Sequence, residues 1–193
     1  MKLNAFLSGL IIMSGLVACG PSTKIEKTWA DPSVTPATFK PFKKILVVAQ
    51  FNDESTRRIA EDKLAAQFPA GTAVQSYTYL TAEDNEKTKV EQRLKADGFD
   101  GVIVMSLTNV DKSTNYVPGS TYGGWYGYRY GSPGYYTEDK TYLVETSIYS
   151  YETQKLLWSG TTSTVNPTKV DKTINDILEA VKAELAKQGF TKK

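Results

Sequence analysis

The chain of 193 residues contains no histidine and a single cysteine, Cys19. Without imidazole, catalytic triads built on histidine and histidine-ligated metal sites are excluded. Without a second cysteine no disulfide can form within the chain, so stability must come from packing. Glycine-rich phosphate cradles of the types G-x-G-x-x-G and G-x-x-x-x-G-K-S/T are absent, as is the G-x-S-x-G turn of serine hydrolases. No apolar run approaches the roughly 20 residues of a membrane-spanning helix. A formal net charge of +2 is too balanced to argue for nucleic acid or for an anionic lipid surface. Nothing in this inventory points to a cofactor or a metal.

The most informative residue is the cysteine itself. Lys2 is a short basic start, Ala5 to Val17 is an apolar stretch, and Leu16-Val17-Ala18-Cys19 resembles the lipobox of bacterial lipoproteins. That resemblance implies removal of residues 1–18 and acylation of Cys19, whose several chains would hold a membrane stably where one would not. The alternatives are an ordinary secretory cut and a buried helix, neither of which accounts for the sole cysteine standing at the cut. What remains after residue 18 is one domain's worth of chain.

Residues 19–42 hold Pro21, Pro32, Pro36 and Pro41 and no sustained hydrophobic period, which predicts an extended tether with Trp29 docked on the domain. Fully stretched, such a tether would reach about 70 Å. A single α/β domain is expected over 43–190. Ile45 to Ala49 and Val102 to Met105 are apolar on both faces, as in covered parallel strands, whereas Val74 to Leu80 alternates and reads as an edge strand. The resulting parallel order is 2-1-3. Thr141 to Tyr151 and Leu156 to Val165 read as an antiparallel hairpin. Helices are expected over Glu54 to Phe68, capped by Asp53 or Ser55, from Thr81 to Gly98, and after Asn166 or Thr168, where Val170, Ile174, Ile177, Leu178, Val181 and Leu185 share a face. The prediction is a mixed five-stranded sheet with three helices on both faces.

Between the third and fourth strands, residues 116–136 carry seven of the twelve tyrosines (Tyr116, Tyr122, Tyr126, Tyr128, Tyr130, Tyr135, Tyr136), Trp125, Arg129 and six of the fourteen glycines. A loop this long in a compact domain is functional or disordered. Tyrosine and tryptophan give rigid contact area at low entropic cost, which favours a binding surface formed by Tyr122, Trp125, Tyr126, Tyr128, Arg129, Tyr130, Tyr135 and Tyr136. A lid over the domain's own core and a merely flexible tract are the alternatives. For catalysis two places are candidates. The turn 52–58 lies where open α/β sheets bind ligands, although capping explains Asp53 and Glu54 equally. Glu145 stands in mid-strand, either as a buried acid or facing solvent.

Trp29-Ala30-Asp31-Pro32, Phe42-Lys43-Lys44-Ile45-Leu46-Val47-Val48, Arg57-Arg58 with Glu61-Asp62, Gln75-Ser76-Tyr77, Phe99-Asp100-Gly101-Val102, Tyr116-Val117-Pro118, Glu145-Thr146-Ser147-Ile148-Tyr149 and Leu157-Trp158-Ser159 resemble a family of small bacterial lipoproteins of the Bacteroidota type with a Tyr/Gly-rich insertion. The resemblance spans the mature chain and implies an envelope location, but no catalytic residues. In outline the fold is also similar to periplasmic lipoprotein domains that dock on larger machines. Gly20 after the cysteine, with no acidic run beyond it, leads to the outer membrane, facing the periplasm. The expected function is a lipid-anchored, non-catalytic adaptor touching an envelope protein or the cell wall, the alternative being an envelope enzyme for a small molecule or glycan that uses Glu145 or the turn 52–58.

Overall fold

The computed structural model describes residues 23–81, 86–119, 121–123, 129–131 and 133–191. Strand β2, Ile45–Gln50, has Ile45, Val47 and Ala49 buried under one layer and Leu46 under the other, as a doubly covered strand requires. It leads into helix α1, Glu54–Ala65, whose N-cap Asp53 accepts hydrogen bonds from the Thr56 backbone N–H at 2.7 Å and hydroxyl at 2.8 Å. Parallel strand β3, Ala73–Gln75, and parallel strand β4, Gly101–Val117, flank β2, so the predicted 2-1-3 core is present. β3 stops after three residues because the chain turns into the single-turn helix α2, Ser76–Tyr79, where a strand to Leu80 was expected. Helix α3, Lys87–Ala96, follows, and Gly98 takes φ +77° just past its C-cap Asp97.

The turn from β3 into α2 is held by Glu61. This α1 carboxylate is 0% exposed and accepts hydrogen bonds from Ala49 N at 3.0 Å, Ser76 Oγ at 2.7 Å and Tyr77 N at 3.1 Å. Three donors satisfy a charge that would otherwise be untenable inside the domain.

Beyond β4 the chain forms a small ribbon of β5, Thr121–Gly123, and β6, Arg129–Gly131, then β7, Tyr135–Ser150, and β8, Lys155–Val165, joined by a tight turn in which Gln154 takes φ +52°. Helix α4, Val170–Lys187, buries Ile174, Ile177, Leu178 and Val181. Its N-cap is Lys169, without a side-chain cap. Neither Asn166 nor Thr168 takes that role. Asn166 instead accepts from Lys140 N and donates to Asp139, and so ties the end of β8 to β7.

The sheet has six strands rather than five, in the order β1-β8-β7-β4-β2-β3. The added strand is β1, Thr23–Ala30, paired antiparallel with β8 from Thr23↔Thr164 to Ala30↔Trp158. A third of the expected tether, eight of its 24 residues, is therefore strand. Residues 31–42 then cross the domain, with Asp31 N bound to Leu157 O and Asp100 accepting from Lys43 N and Lys44 N. The physical reason for the correction is backbone pairing: β8 offers a free ladder edge, and Thr23 to Ala30 satisfies it although its residues are mostly polar.

Helices lie on both faces, but unequally. α1 and α4 cover one face over Val47, Ile103, Met105, Val144, Ile148 and Trp158, while α3 covers the other only over β2 and its neighbours, with Leu94 and Phe99 against Leu46. Trp158 donates its indole N–H to Gln188 at 2.9 Å, which links β8 to the end of α4. The part of the second face formed by β7, β8 and β1 is uncovered by any described helix.

Candidate functional site

β4 and β7 are the longest strands, and they pair from Gly101↔Ser150 to Val117↔Tyr135. β8 accompanies β7 only as far as Thr141↔Val165. Six further residue steps of β4, from Asp111 to Val117, therefore continue as a two-stranded arm about 20 Å long. A bulge between Leu107 and Asn109 precedes it, and such a bulge adds twist and shifts the alternation of faces. The arm mixes tyrosines and threonines with charged and polar residues and buries little: Tyr116, Tyr135 and Tyr136 are 57%, 60% and 73% exposed. Tyr116 and Tyr136 sit opposite each other with ring centroids 5.0 Å apart, and the Tyr116 ring also lies against Gly134, where a β-carbon would meet its hydroxyl at 2.1 Å. Cross-strand aromatic contact of this kind holds a ribbon together without a core.

Of the predicted surface, Tyr135 and Tyr136 are thus on the arm in the open. Tyr122, Arg129 and Tyr130 lie in the β5–β6 ribbon, where Tyr122 pairs with Tyr130 and Gly123 with Arg129. Trp125, Tyr126 and Tyr128 lie outside the described residues, as does Cys19. Lid formation by Tyr116, Tyr135 and Tyr136 is not what the structure has, since their rings are exposed.

At the base of the arm the uncovered face carries a polar groove of about 540 Å³. Glu145 opens into it, half-buried, accepting a hydrogen bond from Ser147 Oγ at 2.9 Å. Across Thr161, which pairs with Glu145 on one side and Lys27 on the other, lies Glu26. Ser163 Oγ donates to Glu26 at 2.5 Å and Lys24 approaches it at 3.1 Å, and these two contacts, in that order, hold its carboxyl below the usual glutamate value. Asp111 accepts from Asn109 at 2.6 Å on the same rim. No group of three or more metal-ligating acids, cysteines or histidines occurs among the described residues.

The turn 52–58 is occupied by structure. Asp53 caps α1, and Glu54 pairs with Arg57 at 2.8 Å and Arg58 at 2.7 Å. Backbone donation from Thr56 keeps Asp53 below the ordinary aspartate value. The capping reading accounts for each of these side chains.

Sequence reasoning missed Glu26 and Lys27 as groove residues because they fell in the expected tether. Their signal was the threonine- and serine-rich run 159–164, whose small hydroxyl side chains leave room for a neighbouring strand's long ones.

No family model and no curated protein matches the chain. Solved structures of similar outline include the PelC dodecamer from Paraburkholderia phytofirmans, 10% identical with a TM-score of 0.45 over 89% of this chain and 99% of that one. Another is the lipoprotein GNA1162 from Neisseria meningitidis, 17% identical with a TM-score of 0.40 over 75% of this chain and 98% of that one. At these values neither likeness bears on what the chain does. No helix among the described residues is long and apolar enough to cross a membrane.

Proposed function

We propose that this chain is a lipid-anchored, non-catalytic binding module of the bacterial cell envelope, held at the outer membrane on the periplasmic side, which grips an envelope protein through its aromatic arm. The observation that carries the reading is the arm: a ladder continued for about 20 Å past the last covering strand, presenting exposed tyrosines that no core requires. Rigid aromatic side chains on a paired backbone lose little entropy on binding, and aromatic anchors dominate interface energies.

The position of the arm supports a partner close to the membrane. Thr23, Thr164, Tyr142 and Val110 line up across four strands, and β1 runs away from the arm. The chain toward Cys19 therefore leaves the sheet at the end from which the arm projects. The four residue steps from Cys19 to Thr23 span at most about 14 Å, far short of the 70 Å reach of a free tether. Acylation at Cys19 would hold the base of the arm beside the lipid surface.

A photo-crosslinking residue at position 136, compared in intact cells with one at exposed Glu179 on α4, tests the proposal. The expected result is a discrete protein adduct at 136 and none at 179. Adducts to lipid or glycan alone at 136 would overturn it.

A further inference from the structure

On the helix-covered face the packing is incomplete. A cavity of about 720 Å³ lies between the sheet, the end of α1, the second half of α4 and residues 34–42. That is within the roughly 300–1,000 Å³ of small-molecule sites and far larger than the voids of an ordinary interior. Its walls are apolar, led by Phe68, Ile103, Ile148, Trp158, Val181 and Leu185. Thr146 breaks the pattern. Its side chain is 2% exposed and lines the cavity, and its hydroxyl has no hydrogen-bond partner among the described residues. The other buried threonines of this face are satisfied, Thr162 by Val144 O and Thr164 by Thr23. An orphaned buried hydroxyl calls for an acceptor from a guest.

Among the described lining residues the mouth carries one charge. Pro36, Pro41, Gln67, Lys182 and Thr191 are exposed lining residues, and Lys182 has no ion-pair partner among the described residues. The strap above is held by side chains: the hydrogen bonds of residues 32–42 close turns at its start, while Phe42 packs on the core beside Gly101, Pro36 lies against Gly189, and Phe39 stands edge-on to Phe190 at 5.7 Å. An entry route between strap and α4 thus needs no strand to be broken.

We infer that this cavity is a binding site for a single-chain anionic amphiphile, a fatty acid or a monoacyl phospholipid, with the acyl chain along the apolar walls and the anionic head at Lys182; in a monoacyl phospholipid the ester supplies a second oxygen acceptor for Thr146. The protein's own lipid is the wrong occupant. Ala30 and Trp158 mark the cavity end of β1, whereas the chain toward Cys19 departs from Thr23, seven residue steps and about 23 Å away. The site is independent of the arm and stands whether or not the arm binds a protein.

The test is native mass spectrometry and fluorescence titration of the full chain carrying Cys19→Ser, which removes any acyl group of its own, with palmitate, lysophosphatidylglycerol and the cationic dodecyltrimethylammonium as probes. Saturable one-to-one binding of palmitate or lysophosphatidylglycerol, at least tenfold tighter than the cation, is expected, and preference between the two names the head group. Val181→Trp, which fills the cavity, should weaken binding at least tenfold, and Lys182→Glu at the exposed mouth at least fivefold. Thr146→Val should cost about threefold. Absence of stoichiometric binding, equal affinity for the cation, or binding unchanged in Lys182→Glu would overturn the inference.

Discussion

The inner and outer halves of the β4–β7 pair share one hydrogen-bonded ladder and differ in almost everything else. From Gly101 to Met105 alternate residues of β4 are buried, and Val144, Thr146 and Ile148 answer them on β7. From Asp111 to Tyr116 every residue of β4 is exposed. The inner half is specified by what packs on it and the outer half by backbone pairing, cross-strand rings and the Asn115–Asp139 side-chain hydrogen bond. Stability and the proposed recognition are therefore separable along a single strand, which makes the comparison testable by substitution.

The largest effect belongs to the body. Ile177→Asp puts an unpaired charge at a site 1% exposed under α4, and should lower stability by about 4 kcal/mol or prevent folding, as read by chemical unfolding. Glu61→Ala leaves Ala49 N, Tyr77 N and Ser76 Oγ without their acceptor and should cost about 3 kcal/mol, with the loss smaller in Glu61→Gln. Gly160→Ala sharpens the contrast, since its β-carbon would meet the Trp158 ring at 2.3 Å and must displace a well-packed indole. About 2 kcal/mol is expected, again by unfolding. In the arm, Tyr136→Ser, which gives up the ring contact with Tyr116, should shift stability by about 1 kcal/mol, and Tyr135→Ser by no more than about 0.5 kcal/mol, because exposed changes away from the core rarely matter more.

Much of the body was legible. Continuous apolar runs at 45–49 and 102–105 predict strands covered on both faces and hence the 2-1-3 core, and the period of Val170 to Leu185 predicts α4. β1 was not legible, because Lys24, Glu26, Lys27 and Thr28 face solvent and a bulge between Ile25 and Lys27 interrupts its alternation. β3 was overestimated because Tyr77 and Tyr79 alternate as strand residues do, while Glu61 binds Ser76 and Tyr77 in a helical turn. Nor could exposed strands at 111–117 and 135–140 be read from hydrophobic period, since no burial imposes one. The aromatic composition marked the segment, but the ladder that turns it into an arm is a tertiary fact.

Acid should weaken the body over a defined window. Hydrogen bonds from Ser163 to Glu26, from Thr56 to Asp53 and from Gln188 to Glu184 lower these carboxyls below 4.5 for the glutamates and 3.8 for the aspartate. Groups depressed on folding contribute fully above their ordinary values, and that contribution is lost as pH falls through the lower folded values. The unfolding midpoint should thus decline below about pH 4.5, and with no histidine to titrate it should stay nearly level from about pH 5.5 to 8.

The most direct measurement of the central claim is recovery of the native envelope partner by the Tyr116→Ser/Tyr135→Ser/Tyr136→Ser protein at matched folded concentration. The account predicts at least a tenfold loss of recovery from a protein whose unfolding midpoint is close to that of the wild type. Undiminished recovery by a folded triple variant would contradict it.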